Sequence, residues 1–199
     1  MTNTDNTDQS VLRDLRKLVP DRPVRVSEGL AIIDGIAAKF RTLAQDRGAH
    51  TPEDLISQIA SIQIQRRDLL VDAETSWWPL ERQWVIRLNR RTDPRDQQFA
   101  LLREFARIIW QPFEAIYPWL HRTILEQVAG HAADRFAAEV LVPTAQLRQA
   151  QQAGIVDAVA LADRFGVTPD TIRWKLHDLN SGLPTARNPK RALPGDEAA

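Results

Sequence analysis

The sequence predicts an α+β fold: N-terminal helices, a short sheet, a pair of longer helices and a C-terminal helix-turn-helix-like unit. Three observations carry this expectation. Apolar residues recur at steps of three and four within 28–46, 99–110 and 131–143, the period of a buried helix face. Two runs of β type, 62–70 and 84–88, fall between the first and second of these stretches. Ala162, Gly166 and Ile172 are spaced as in two short helices joined by a tight turn.

Residues 1–10 read M-T-N-T-D-N-T-D-Q-S, too polar to fold, and 11–18 predict a short helix, so 1–27 is expected to be disordered or partly helical. In the helix predicted over 28–46, Leu30, Ile33, Ile36, Ala37, Phe40 and Leu43 form one stripe, and Ser27 is the expected N-cap. A second helix starts at Thr51-Pro52-Glu53-Asp54. Thr51 caps it, Pro52 suits the first turn, and Asp54 stands where a capping box needs an acceptor. Strands are expected at 62–70 and 84–88, linked by a turn-rich stretch containing Trp77-Trp78-Pro79. Adjacent tryptophans on an extended chain point to opposite sides, so one is expected inside and the other exposed. Trp110 and Trp119 flank Pro112-Phe113 and Tyr117-Pro118 in the insertion between the two longer helices. Core or loop packing is the simpler reading of these aromatics, and a partner-binding surface is the alternative.

Within 156–179, Ala162 is small where two helices would touch, Gly166 permits the turn, and Ile172 packs the second helix back on the first. Thr168 and Pro169 suit the N-cap and first position of that second helix. Thr168, Pro169, Asp170, Arg173, Trp174 and His177 are expected on its exposed face, and Thr168, Arg173, Trp174 and Lys175 are the candidate contacts to DNA or to a partner. Arg164, Arg173 and Lys175 face Asp157, Asp163, Asp170 and Asp178, so the unit is net negative and a poor phosphate binder. The tail from Leu183, with Pro184, Pro189 and Pro194, is expected to be disordered.

The segment F-A-L-L-R-E-F-A-R-I-I-W, residues 99–110, has the frame of the helix H-E-x-x-H with arginine at both histidine positions. Two histidines four apart on a helix can grip one zinc while the intervening glutamate acts as base. Arginine carries no lone pair for a metal and stays protonated. The preceding W-V-I-R-L-N and the following A-D-R-F-A-A-E-V-L-V-P complete the order strand, helix, proline-stopped helix. On these three segments the chain resembles the ImmA/IrrE metallopeptidases, over roughly residues 28–182. The resemblance implies a zincin-like core at 28–150, a helix-turn-helix-like extension at 151–182 and a tail at 183–199. It places the zinc histidines on Arg103 and Arg107, the general base on Glu104, and the third ligand on Gly130 or Ala132, neither of which has a donor. No catalytic residue, metal or cofactor is therefore expected. The pocket would be lined by Arg103, Glu104, Arg107, His131 and Asp134, with the arginines tied to carboxylates such as Glu104 or Asp134, or else binding an anion or carboxylate.

Active members of that family cleave helix-turn-helix repressors. A member without zinc is expected to bind such a repressor, or another protein, in transcriptional or phage and mobile-element control. Two alternatives stay open. One is an active metallopeptidase with a relocated metal on His121, His131 and Asp134. The other is a DNA-binding regulator acting through residues 156–179. Composition limits the choice further. Lys plus Arg equals Asp plus Glu, 26 each, which argues against strong general affinity for nucleic acid. No apolar run has the length of a membrane span, and the polar N-terminus lacks a signal pattern, so a cytoplasmic location is expected. With no cysteine there is no disulfide.

Overall fold

The computed structural model describes residues 11–22, 24, 26–110 and 122–181. The expectations for residues 1–10, for the aromatics between 112 and 119, for His121 and for the tail from 183 lie outside them. The fold is α+β. Helix α1 (11–16) leads into α2 (Val26–Asp46) and α3 (Pro52–Ser57). Three strands follow: β1 (Ile62–Arg67), β2 (Ala73–Trp78) and β3 (Gln83–Asn89). The chain closes with α4 (Pro94–Trp110), α5 (Arg122–Leu141), α6 (Thr144–Gln152), α7 (Ala158–Phe165) and α8 (Pro169–Ser181). Among the described residues, no helix is long and apolar enough to cross a membrane.

The sheet order is β1-β3-β2, with β3 parallel to β1 and antiparallel to β2. The chain thus leaves β1, passes over to the far edge, runs back along β2 and turns up β3 between its neighbours. Val85 and Ile86 are consecutive and both buried, so both faces of β3 are covered, as a central strand requires. Trp77 and Trp78 lie in strand β2, where a turn was expected. Strand β2 was missed because A-E-T-S-W-W carries no apolar alternation; its pairing with β3 holds it. Neither tryptophan is fully inside. Trp77 packs tilted against Trp84 across the ladder, centroids 5.2 Å apart, and Trp78 lies 5.6 Å beneath the Arg87 guanidinium. Strand β1 ends at Arg67 rather than at 70, because its partner β3 ends at Asn89, opposite Arg67.

Helix α2 starts at Val26, so Ser27 sits inside it and is not its cap. The capping box at α3 is as expected: Thr51 accepts from Asp54 N, and the Asp54 carboxylate accepts from Thr51 N at 2.8 Å. Helix α4 is buried beyond its predicted stripe, with Leu101, Glu104 and Ile108 inside as well. It packs against the sheet on one side and α5 on the other, so its apolar residues are covered on two sides. Phe40 of α2, Phe105 of α4 and Phe136 of α5 join the three helices, their centroids 5.6, 5.8 and 6.4 Å apart.

A second apolar cluster holds Val142, Leu147, Ala150, Leu161, Ala162, Val167 and Ile172. Asp157 caps α7 by accepting from Val159 N and Ala160 N, both at 2.9 Å. Gly166 has φ 66°, the left-handed conformation the turn after α7 needs, and Ala162 and Ile172 are buried against each other's helices, as their spacing predicts.

Candidate functional site

Arg103 and Glu104 are neighbours on α4 and leave it on different sides. Arg103 reaches α5, where its Nε lies 3.1 Å from Asp134 Oδ1. The N–H is not aligned on that oxygen, so the contact is an ion pair rather than a directed hydrogen bond. Glu104, only 2% exposed, turns to the sheet and accepts a hydrogen bond from the Thr75 hydroxyl of β2 at 2.9 Å. One turn on, Arg107 Nη1 lies 3.2 Å from Glu104 Oε1. The arginine–carboxylate ties expected from the sequence are thus present as two pairs, Arg103–Asp134 and Arg107–Glu104.

His131 faces elsewhere. Its Nε2 lies 3.1 Å from Asp178 Oδ1 on α8, and its ring tilts against Trp174 with centroids 5.8 Å apart. Asp178 also accepts from Arg135 Nη1 at 2.6 Å, and Arg135 forks onto Asp34 of α2 at 2.9 and 2.7 Å. Lys175 Nζ donates to Glu139 Oε2 at 2.5 Å. The Glu139 carboxylate in turn accepts from the Thr144 hydroxyl at 2.6 Å and from Thr144 N at 3.1 Å. Burial alone would raise the Asp178 and Glu139 carboxyls. Around Asp178, the hydrogen bond from His131 and the charge of Arg135 outweigh it; around Glu139, Lys175 and then Thr144 do. Both carboxyls sit below their ordinary values.

This network corrects the exposed face expected for α8. Trp174 is 7% exposed and belongs to the main core, and Lys175 is wholly buried. Thr168 is half-buried, its hydroxyl donating to Asp96 Oδ1 of α4 at 2.9 Å. Of the four candidate contacts only Arg173 is exposed, paired with Asp170. The cause is the second interface of α8. Its outer side, as drawn from a two-helix unit alone, is covered here by α5.

Gly130 and Ala132 are half-buried on α5, and a Cβ placed on Gly130 would meet nothing within 4 Å. A zinc ion held as in the peptidases does not fit this residue set. Arg103 and Arg107 have no lone pair to give, and Gly130 and Ala132 have no donor. Nor, among the described residues, do three His, Asp or Glu side chains converge on one point. His131 is turned to Asp178 on α8, and His121 lies outside the described residues.

Sequence reasoning missed Thr75, Asp34, Arg135, Glu139 and Asp178. Glu139 left a signal: it sits between Ala138 and Val140 in an apolar run, where a carboxylate needs a partner. Thr75 left none, since its role depends on sheet register.

No curated protein matches the chain. The family profile of the IrrE N-terminal-like domain, Peptidase_M78, matches residues 58–177. The match begins at the end of α3, so α2 lies outside it, and it runs into α8. Covering more than half of the 199 residues and all of the sheet, α4 and α5, it establishes that the chain belongs to the IrrE N-terminal-like family.

Proposed function

We propose that this chain is a zincin-like member of its family in which two arginines stand where the metal would be held, and that it works by binding a protein partner rather than by cutting one. The observation that carries the reading is the pairing of Arg103 with Asp134 and of Arg107 with Glu104. Zinc brings two positive charges to the junction of α4 and α5. Two guanidiniums bring the same formal charge without a coordination site. Glu104, matching the general base of the resembled peptidases, spends its carboxylate on Thr75 and Arg107.

The partner we propose is a helix-turn-helix repressor, the class that active members cleave, held here without cleavage. The setting would be transcriptional or phage and mobile-element control in the cytoplasm. The α7–α8 pair, helix-turn-helix-like in spacing, serves as scaffold in this reading, because its buried face is spent on α5.

The test uses helix-turn-helix repressors as candidate partners. The purified chain, incubated with each and with zinc, should bind one of them, leave it intact and carry no stoichiometric metal by elemental analysis. Zinc-dependent cleavage abolished by Glu104→Gln would overturn the proposal.

A further inference from the structure

A cleft of about 920 Å³ opens between α1 and the end of the sheet, where the β2–β3 turn meets the start of β1. It lies apart from the Arg103–Asp134 region and is independent of the function proposed above. Arg13, Arg16 and Lys17 line one wall; Arg82, Trp77 and Trp84 line the other. Four cations thus line the cleft against one lining carboxylate, Glu81, with Asp14 paired to Lys17 beside it, in a chain whose overall charge is zero. Binding of polyanions follows such local concentration of charge rather than the total.

Arg16 is fixed in place by a hydrogen bond from Nη2 to the Ile108 carbonyl at 2.8 Å, and its buried Nε has no hydrogen-bond partner. Arg82 has φ 52°, a backbone region costly for any residue with a Cβ, and it makes no ion pair or hydrogen bond among the described residues. Trp77 is backed by Trp84, yet 44% of it is exposed. A rigid aromatic face beside several cations matches the two parts of a nucleotide, a flat base and a phosphate. An extended peptide finds less here. The Ser61 carbonyl already accepts from Trp84 N at 2.7 Å, and the Ala60 carbonyl from Gln83 Nε2 at 3.0 Å, so this end of the sheet offers those carbonyls to no added strand.

We infer that this cleft binds single-stranded nucleic acid, its phosphates lying on Arg13, Arg16, Lys17 and Arg82 and a base stacking on Trp77. Recognition is by stacking and charge, and so is tolerant of sequence. Lys17 is available for it, because it is exposed, its partner Asp14 is only half-buried, and pairs one turn apart at a helix surface exchange readily.

The experiment is fluorescence anisotropy of a short labelled oligothymidylate with the full chain at low salt. Trp77→Ala should weaken binding on the order of ten-fold. Arg82→Gly removes one phosphate contact while suiting the positive φ, so it should flatten the slope of log K against log salt by about 0.7 without lowering the melting temperature. Arg173→Ala, on α8, should change nothing. Absence of binding at low salt would overturn the inference, as would binding untouched by both cleft variants. Preference for a duplex, which offers no free base, or tighter binding of polyglutamate than of the oligonucleotide would overturn it too.

Discussion

Arg103 of α4 and Asp134 of α5 meet as an ion pair in which the carboxylate is almost wholly buried and the guanidinium keeps some contact with water. The two halves are therefore unequal. Arg103→Ala takes its cation from a carboxylate that water scarcely reaches, and should cost about 3 kcal/mol. Asp134→Ala strands the better solvated partner and should cost less. Replacing both by leucine should recover most of the loss, since two apolar groups need no pairing. Urea denaturation of the three variants measures this; equal costs for the two single variants would contradict the asymmetry.

The second pair should be weaker. Arg107 is 31% exposed at its side chain, and Glu104 keeps the Thr75 hydroxyl when the arginine is lost. Arg107→Ala should still cost about 1–2 kcal/mol, because a buried carboxylate loses its only charged donor among the contacts described here. That exceeds the roughly 0.5 kcal/mol of an ordinary surface change. A melting temperature equal to that of the parent chain would show that Thr75 alone satisfies Glu104.

Histidines alone should not bring back a metal. Arg103→His with Arg107→His supplies two ligands, and neither Gly130 nor Ala132 supplies a third. Adding Gly130→Glu should change that, since its Cβ enters open space and a helix gains from losing glycine. Elemental analysis should find zinc in the triple variant and none in the double. Stoichiometric zinc in the double variant would mean that another residue closes the site.

Which parts of this were legible beforehand follows from the range of each interaction. The capping box at Thr51 and Asp54 and the left-handed Gly166 are set within a few residues, and the sequence states both. The apolar stripes that carry Phe40 in α2 and Phe105 in α4 likewise announce their own burial. Strand β2 escaped because pairing with β3, not its composition, makes it a strand. The exposure expected for Trp174, and the contact expected of Lys175, failed for the same kind of reason. Periodicity tells which residues share a face, and a helix packed on two sides has two inner faces. The partner of Arg103 was among the carboxylates named from the sequence, whereas Arg135, Asp34 and Asp178 meet from helices far apart in the chain.

Acid should unfold the protein through α8. The Asp178 and Glu139 carboxyls lie below their ordinary values in the folded chain. The unfolded chain takes up protons near pH 4, where the folded chain still refuses them. Their contribution is complete above that value and is lost as pH falls through the lower folded values. Stability measured from pH 7 down to pH 3 should fall steeply only below about 4, and Asp178→Asn should make that fall shallower. An equal acid slope in the variant would assign the loss to other carboxyls.

Lys175→Glu would be misread as a test of DNA binding. It puts a second carboxylate against Glu139 in a site with no water, and should cost about 3–5 kcal/mol or more. The expected result is a chain that fails to reach a native circular dichroism spectrum at neutral pH. A folded variant would mean that α8 lifts away from α5 at little cost.

Helix α5 touches its neighbours through small residues, Ala133, Ala137 and Ala138, set around the single large ring of Phe136. The charges of α5 do not slide. His131 and Arg135 engage α8, Asp134 engages α4, Arg135 reaches α2, and Glu139 holds Lys175. A shift of one turn, about 5.4 Å, would break these contacts together and leave the alanines almost as content as before. Grease makes this bundle compact and seats one ring, Phe136; salt fixes the registration along the rest of the helix, so a chain stripped of the pairs would still collapse but would be held in place at one point only.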